Sequence, residues 1–151
     1  KVDFEKEQLH QFGDKKFDFV VCTEVLEHLD NLHAMTQELL RVSNRYVLVS
    51  LPNSLSIFTK WNIMFNGHAG KFYGLPLEQP EDRHRWLFGY KDIDHYFKAI
   101  CDREPFRINR KFLHMNFGHT WKGESLKNFV RLFQIDNACQ SYWILLERTD
   151  K

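Results

Sequence analysis

Two carboxylates and an imidazole, Glu24, Glu27 and His28, crowd the stretch that directly follows the apolar run FDFVVC. If the chain there turns helical, they fall at i, i+3 and i+4 and share one face. Such a cluster can bind a divalent metal, hold a substrate hydroxyl with His28 as general base, or cap helices and pair with basic neighbours. A fourth group is His84, at the end of a long loop and just ahead of Trp86 and Phe88. Carboxylate oxygens with imidazole nitrogens suit Mg²⁺, Mn²⁺ or Zn²⁺ better than a soft metal, and a hydroxyl on such a metal has a lowered pKa. His10, His33, His68, His95, His114 and His119 show no ligand spacing and read as surface or core residues. Cys22 closes a buried strand and reads as a packing residue, because nothing beside it in sequence would lower its pKa.

The elements that must position these groups follow from hydrophobic periodicity. Phe17 to Cys22 is a short, nearly continuous apolar and β-branched run, the pattern of a central parallel strand buried on both faces. Asp30-Asn31 then reads as an N-cap, and Leu32, Met35, Leu39 and Val42 recur at spacings of three and four, as on an amphipathic helix. A second run, Tyr46 to Ser50, is stopped by Pro52, so residues 17 to 51 form one right-handed βαβ unit. In an open α/β sheet ligands bind beyond the carboxyl ends of the strands, which is where Thr23, Glu24, Glu27 and His28 stand.

Leu55, Ile57, Phe58, Trp61, Met64 and Phe65 have helical spacing with a wide apolar face, suited either to capping a pocket or to a core helix under a loop. Residues 66 to 85, with Gly67, Gly70, Gly74, Pro76 and Pro80, make a long irregular loop of the kind that carries function. Ile93, Tyr96, Phe97 and Ile100 predict a helix, the alternation from Phe106 to His114 a strand, Leu126 to Phe133 a helix, and Ser141 to Leu146 a closing strand. The last two strands are expected to pair antiparallel.

At 151 residues the chain is one domain or part of one, and 43% hydrophobic residues supply a packed core. Lys and Arg number 21 against 20 Asp and Glu, a balance that argues against a basic nucleic-acid arm. Three scattered cysteines without C-x-x-C spacing read as reduced, hence a cytoplasmic protein, and no apolar run is long enough to span a membrane. P-loop, nucleophile-elbow, H-E-x-x-H and zinc-finger patterns are absent from the sequence. The chain opens on Lys1 and its first strong element looks internal, which suggests a fragment.

Taken together, Asp3-Phe4-Glu5-Lys6, the stretch FDFVVCTEVLEHL from Phe17 to Leu29, Val47 to Asn53 with its LPN ending, and the entry Trp86-Leu87-Phe88-Gly89-Tyr90 resemble the later part of a class I S-adenosylmethionine-dependent methyltransferase of the small-molecule type. The likeness covers nearly the whole chain. It implies a Rossmann-like α/β sheet of which residues 1–151 supply strands four to seven, the last strand antiparallel. It also implies that the glycine-rich cofactor loop and the ribose-holding acid lie upstream of Lys1, so that this chain alone would bind the cofactor weakly or not at all.

Carried over residue by residue, the resemblance places Asp3 at the adenine amino group with Phe4 flanking the ring, and Cys22, Thr23 and Glu24 beside the methionine part and the transferred methyl. A subset of the family, including ubiquinone-biosynthesis O-methyltransferases and small-RNA 2′-O-methyltransferases, carries a similar Glu-x-x-Glu-His motif associated with a divalent metal, Mg or Mn. That gives Glu24, Glu27 and His28, with His84 as the later histidine. The implied reaction is methyl transfer to a small-molecule acceptor, with a hydroxyl oxygen as the first expectation and His28, oriented by Glu24 or Glu27, removing its proton. Residues 54–88 would form a variable cap that selects the acceptor, with Trp61, His84 and Trp86 against it. The alternative is a non-catalytic, truncated or degenerate methyltransferase-like domain acting in protein interaction, since an apolar FDFVVC strand without its neighbour would expose a sheet edge. The acceptor, the target atom and the oligomeric state are left open by the sequence.

Overall fold

The structure is a computed structural model that describes residues 9–69, 73–75, 77–78, 83–115, 125, 128 and 136–150. Asp3, Phe4 and nearly all of the helix expected from Leu126 to Phe133 lie outside the described residues. Strand β1 (Phe17–Thr23) leads through a 3-10 turn at Leu26–His28 into helix α1 (Leu32–Val42) and strand β2 (Ser43–Pro52). Helix α2 (Ile57–Asn66), helix α3 (Tyr90–Cys101), strand β3 (Phe106–His114) and strand β4 (Ser141–Arg148) follow.

The four strands form one sheet in the order β1-β2-β4-β3. β1 and β2 are parallel, whereas β4 runs antiparallel to both of its neighbours, β2 and β3. The parallel pair with α1 as its crossover is the expected βαβ unit, and the last strand is the antiparallel one.

Register explains which side of the sheet is covered. Val20 and Cys22 pair with Val47 and Val49, and these pair in turn with Leu146 and Ile144. Because side chains alternate along a strand, this row shares one face, where it joins Leu51 and Tyr142 in the core with Leu32, Met35 and Leu39 of α1 and Ile93, Phe97 and Ile100 of α3. The periodicity of three and four seen in the sequence is the buried stripe of each helix.

Two local expectations change. β1 is an edge strand among the described residues, and Phe17, Phe19 and Val21 are 37%, 52% and 56% exposed, so the run is covered on one face only. An apolar run cannot by itself tell a strand buried on two faces from one whose second apolar face is left open. Asn31 occupies the N-cap position of α1, but its side chain makes no capping hydrogen bond. Asp30 instead forms an ion pair with Arg85.

Candidate active site at the carboxyl ends of the parallel strands

β1 ends at Thr23, opposite Ser50 of β2. The next residue, Glu24, takes φ 51°, a left-handed conformation that a non-glycine residue adopts at a cost of about 1–2 kcal/mol. Two contacts with Ser50 hold it there: Glu24 N donates to Ser50 O at 3.1 Å, and Ser50 Oγ donates to Glu24 Oε1 at 2.8 Å. Only then does the chain enter the 3-10 turn at Leu26–His28. The condition for one shared helical face is therefore not met. Glu27 and His28 converge with His84, their ligand atoms all within 4.8 Å of one another, while Glu24 is outside that group.

His84 arrives from far along the chain because residues 83–86 are tied to residues 27–30. Arg85 N donates to Glu27 O at 2.9 Å, Trp86 Nε1 donates to Leu29 O at 2.7 Å, and the Arg85–Asp30 ion pair adds a third link. His28 Nδ1 lies 3.2 Å from Arg83 O. A carbonyl only accepts, so Nδ1 of His28 carries the hydrogen and Nε2 bears the lone pair in the neutral ring. That Nε2 is 3.6 Å from Glu27 Oε1, with the Glu27 side chain fully buried. The rings of His28 and His84 meet edge-on, their centroids 4.8 Å apart.

A buried carboxylate facing imidazole nitrogens is stable when a positive charge sits among them, either a proton on a ring or a cation. The donor set of one carboxylate and two imidazoles, each able to offer one atom within the same small volume, fits a divalent metal. The carbonyl behind His28 is the outer partner such ligands ordinarily have.

His84 also lines a cleft of about 440 Å³ that lies beyond the end of β2, beside Asn53, Ser54, Phe58, Thr59 and Tyr73. Tyr73 Oη is 2.7 Å from Ser54 Oγ, 3.2 Å from His84 Nδ1 and 2.6 Å from Trp86 O. Burial pushes the Tyr73 phenol up, the Ser54 hydrogen bond opposes this, and the charge of Glu27 adds to the rise. Burial, and then the Glu27 charge, push the Cys22 thiol up to about 12, which keeps it a protonated packing residue.

The remaining candidates sit elsewhere. Trp61 is 61% exposed and stacks on Phe65 at 4.2 Å, on the outward side of α2, whereas Thr59 and Asn62 of that helix line the cleft. Trp86 packs edge-on against His33 at 5.6 Å and serves as a tie to Leu29. Thr23 holds the end of β1 beside Ser50. Tyr73 and Ser54 were not singled out by sequence reasoning. Ser54 directly follows the LPN ending and Tyr73 lies in the loop flagged for function, but neither carries a spacing that marks it.

Known structures share this architecture. The chain is similar to a SAM-dependent methyltransferase from Archaeoglobus fulgidus, with TM-score 0.59 and 16% identity, covering 98% of this chain and 66% of that one. It is similar to the small RNA methyltransferase HEN1, with TM-score 0.55 and 14% identity over 93% of this chain and 15% of that one. A third likeness is to an S-adenosylmethionine-dependent methyltransferase from Mesorhizobium loti, with TM-score 0.51 and 9% identity over 97% of this chain and 67% of that one. The chain thus spans just under two thirds of the Archaeoglobus protein and a small part of HEN1. No curated protein matches it. These likenesses show the Rossmann-like class I methyltransferase fold, and the family described as "Methionine biosynthesis protein MetW" matches residues 1–135, so the chain belongs to that family.

Proposed function

We propose that this chain carries the acceptor-handling part of an S-adenosylmethionine-dependent methyl transfer to a hydroxyl oxygen of a small molecule. The observation that carries the reading is the convergence of Glu27, His28 and His84 within 4.8 Å, at the carboxyl ends of two parallel strands and next to an open cleft. S-adenosylmethionine, when bound, supplies an electrophilic methyl carbon; Thr23 and Glu24 are proposed to border its reacting end, with Asp3 and Phe4 at the adenine. A divalent cation held by Glu27, His28 and His84 would supply Lewis acidity that lowers the pKa of the acceptor hydroxyl.

The chain's own residues do the rest. Where no cation is bound, His28, held through Nδ1 by the Arg83 carbonyl, would present Nε2 as the proton acceptor, with buried Glu27 stabilising the charge the ring gains. Where a cation is bound, that same lone pair would be a ligand, and the hydroxyl would be acidified by the cation instead. Ser54, Phe58, Thr59, Asn62, Tyr73 and His84 of the 54–88 segment line the cleft and would orient the acceptor, and orientation contributes much of the rate in a displacement at carbon. Glu24 fixes the end of β1 by its bond to Ser50, so its part is to position the turn.

The test uses the intact protein, assayed for methyl transfer to hydroxylated acceptors with and without Mg²⁺ or Mn²⁺. His28→Ala is expected to abolish turnover and leave S-adenosylmethionine affinity nearly unchanged by calorimetry. Full activity in that variant removes His28 from the mechanism. A second reading, a non-catalytic interaction domain, is favoured by the exposed apolar side chains of edge strand β1. Calorimetry and turnover separate the two, because an interaction domain transfers no methyl group with any metal.

A further inference from the structure

Tyr73 sits where three groups meet, and valence decides how its oxygen is used. A phenol has one hydrogen to give and two lone pairs to accept with. Trp86 O, at 2.6 Å, is a carbonyl and can only accept, so the phenol hydrogen is committed to it. Ser54 Oγ at 2.7 Å and His84 Nδ1 at 3.2 Å must then both act as donors toward the two remaining lone pairs.

We infer that Tyr73 is a positioning residue that holds His84 as the Nδ1–H tautomer, so that its Nε2 lone pair is the one offered to the Glu27–His28 group. The inference deepens the metal reading above and rests on it for its effect on affinity, but not for the tautomer. The geometry supports both parts. His28 reaches the same tautomer by a separate route, through Arg83 O, so on this assignment both imidazoles would offer Nε2 to the cluster. Ser54 lies two residues past the end of β2 and His84 lies on the segment tied to residues 27–30, so the Tyr73 hydroxyl joins the acceptor cleft to the ligand cluster. Tyr73 lines the cleft itself, which makes its oxygen a shared wall of both.

The experiment is nitrogen-detected NMR of the histidine-labelled chain, paired with calorimetric titration of Mn²⁺. In the unsubstituted protein His84 should show a protonated Nδ1 and an unprotonated Nε2; the opposite tautomer overturns the inference without any variant being made. In Tyr73→Phe the His84 signals should move toward a mixture of tautomers, and Mn²⁺ affinity should fall about 10- to 100-fold, the usual effect of losing an outer partner of a ligand. Ser54→Ala, which removes a different donor from the same oxygen, should leave the His84 tautomer in place. An unchanged tautomer or an unchanged Mn²⁺ affinity in Tyr73→Phe overturns the positioning role. If the unsubstituted protein binds no Mn²⁺, the metal reading fails on its own, and the tautomer alone decides the role of Tyr73.

Discussion

Asn53 shows how one amide can hold the floor of the cleft. It is 4% exposed, its Nδ2 donates to Cys139 O at 2.9 Å, and its Oδ1 accepts from Tyr90 N at 3.1 Å. It thereby joins the end of β2, the approach to β4 and the first turn of α3. Gly89 packs closely against the same place, where an added Cβ would lie 3.3 Å from Leu55 Cβ. Asn53→Ala would leave a buried carbonyl and a half-buried N–H without this partner, a loss of about 1–3 kcal/mol, so the thermal midpoint should fall by about 3–9 °C in a calorimetric scan. At this scale the sequence was informative about residue type and poor about partners. Glu27, His28 and His84 were legible because carboxylates and imidazoles are rare in such company. The separation of Glu24 was not, because it depends on a left-handed residue whose only sign is its contact with Ser50. The Tyr73 junction was hidden for a similar reason: its partners, Ser54 and His84, lie 19 and 11 residues away.

Among the elements, the end of α1 is fastened by the guanidinium of Arg41, beside that of Arg148, which donates to Leu40 O. Arg41 donates to Glu38 Oε1 and Oε2, to Asp14 Oδ1, and to the carbonyls of Phe12 and Leu9. The Glu38 and Asp14 hydrogen bonds push its pKa up, and the segment before β1 is pinned against the helix. Arg41→Lys keeps the charge but not the planar fork. It should cost about 2 kcal/mol in chemical denaturation and speed amide exchange at the Lys15 N–H, which donates to Arg41 O. Hydrophobic pattern predicted α1, α3 and all four strands, but in β3 the alternation breaks at an irregularity between Ile108 and Arg110, after which Leu113 packs on the core and Phe112 is 47% exposed. The pattern left the orientation of α2 open. There Ile57, Trp61, Met64 and Phe65 are exposed, while Phe58, Thr59 and Asn62 line the cleft. Spacing marks an apolar face without saying which way it looks.

Across the whole molecule, strand order and charge pairing set how the fold responds to acid. Asp94 on α3 accepts hydrogen bonds from Lys98 in its own helix, from Lys111 on β3 and from Tyr142 on β4, so one carboxylate joins three elements. Burial opposes its ionisation, but Lys111, Lys98 and Tyr142 outweigh this and hold its pKa at about 2, below the ordinary 3.8. A depressed folded-state pKa stabilises the fold above the unfolded value and loses that stabilisation as pH falls through the folded one. Stability should therefore decline as pH falls from about 4 to about 2, and Asp94→Asn should flatten that decline in a pH series of urea midpoints. The βαβ order was legible from two apolar runs and their helical crossover. That β4 lies between β2 and β3 was not read from the sequence, because pairing between distant strands leaves no local trace.

The links between residues 27–30 and 83–86, together with the β2–β4 ladder, span everything that lies between them in sequence. Within that span Leu75 and Leu77 are fully exposed. A protease cut there would sever the covalent thread but none of those links. The two pieces should elute together from a sizing column, and the histidine from one fragment should still meet the histidine from the other, so the site could be reconstituted by complementation from separately made halves.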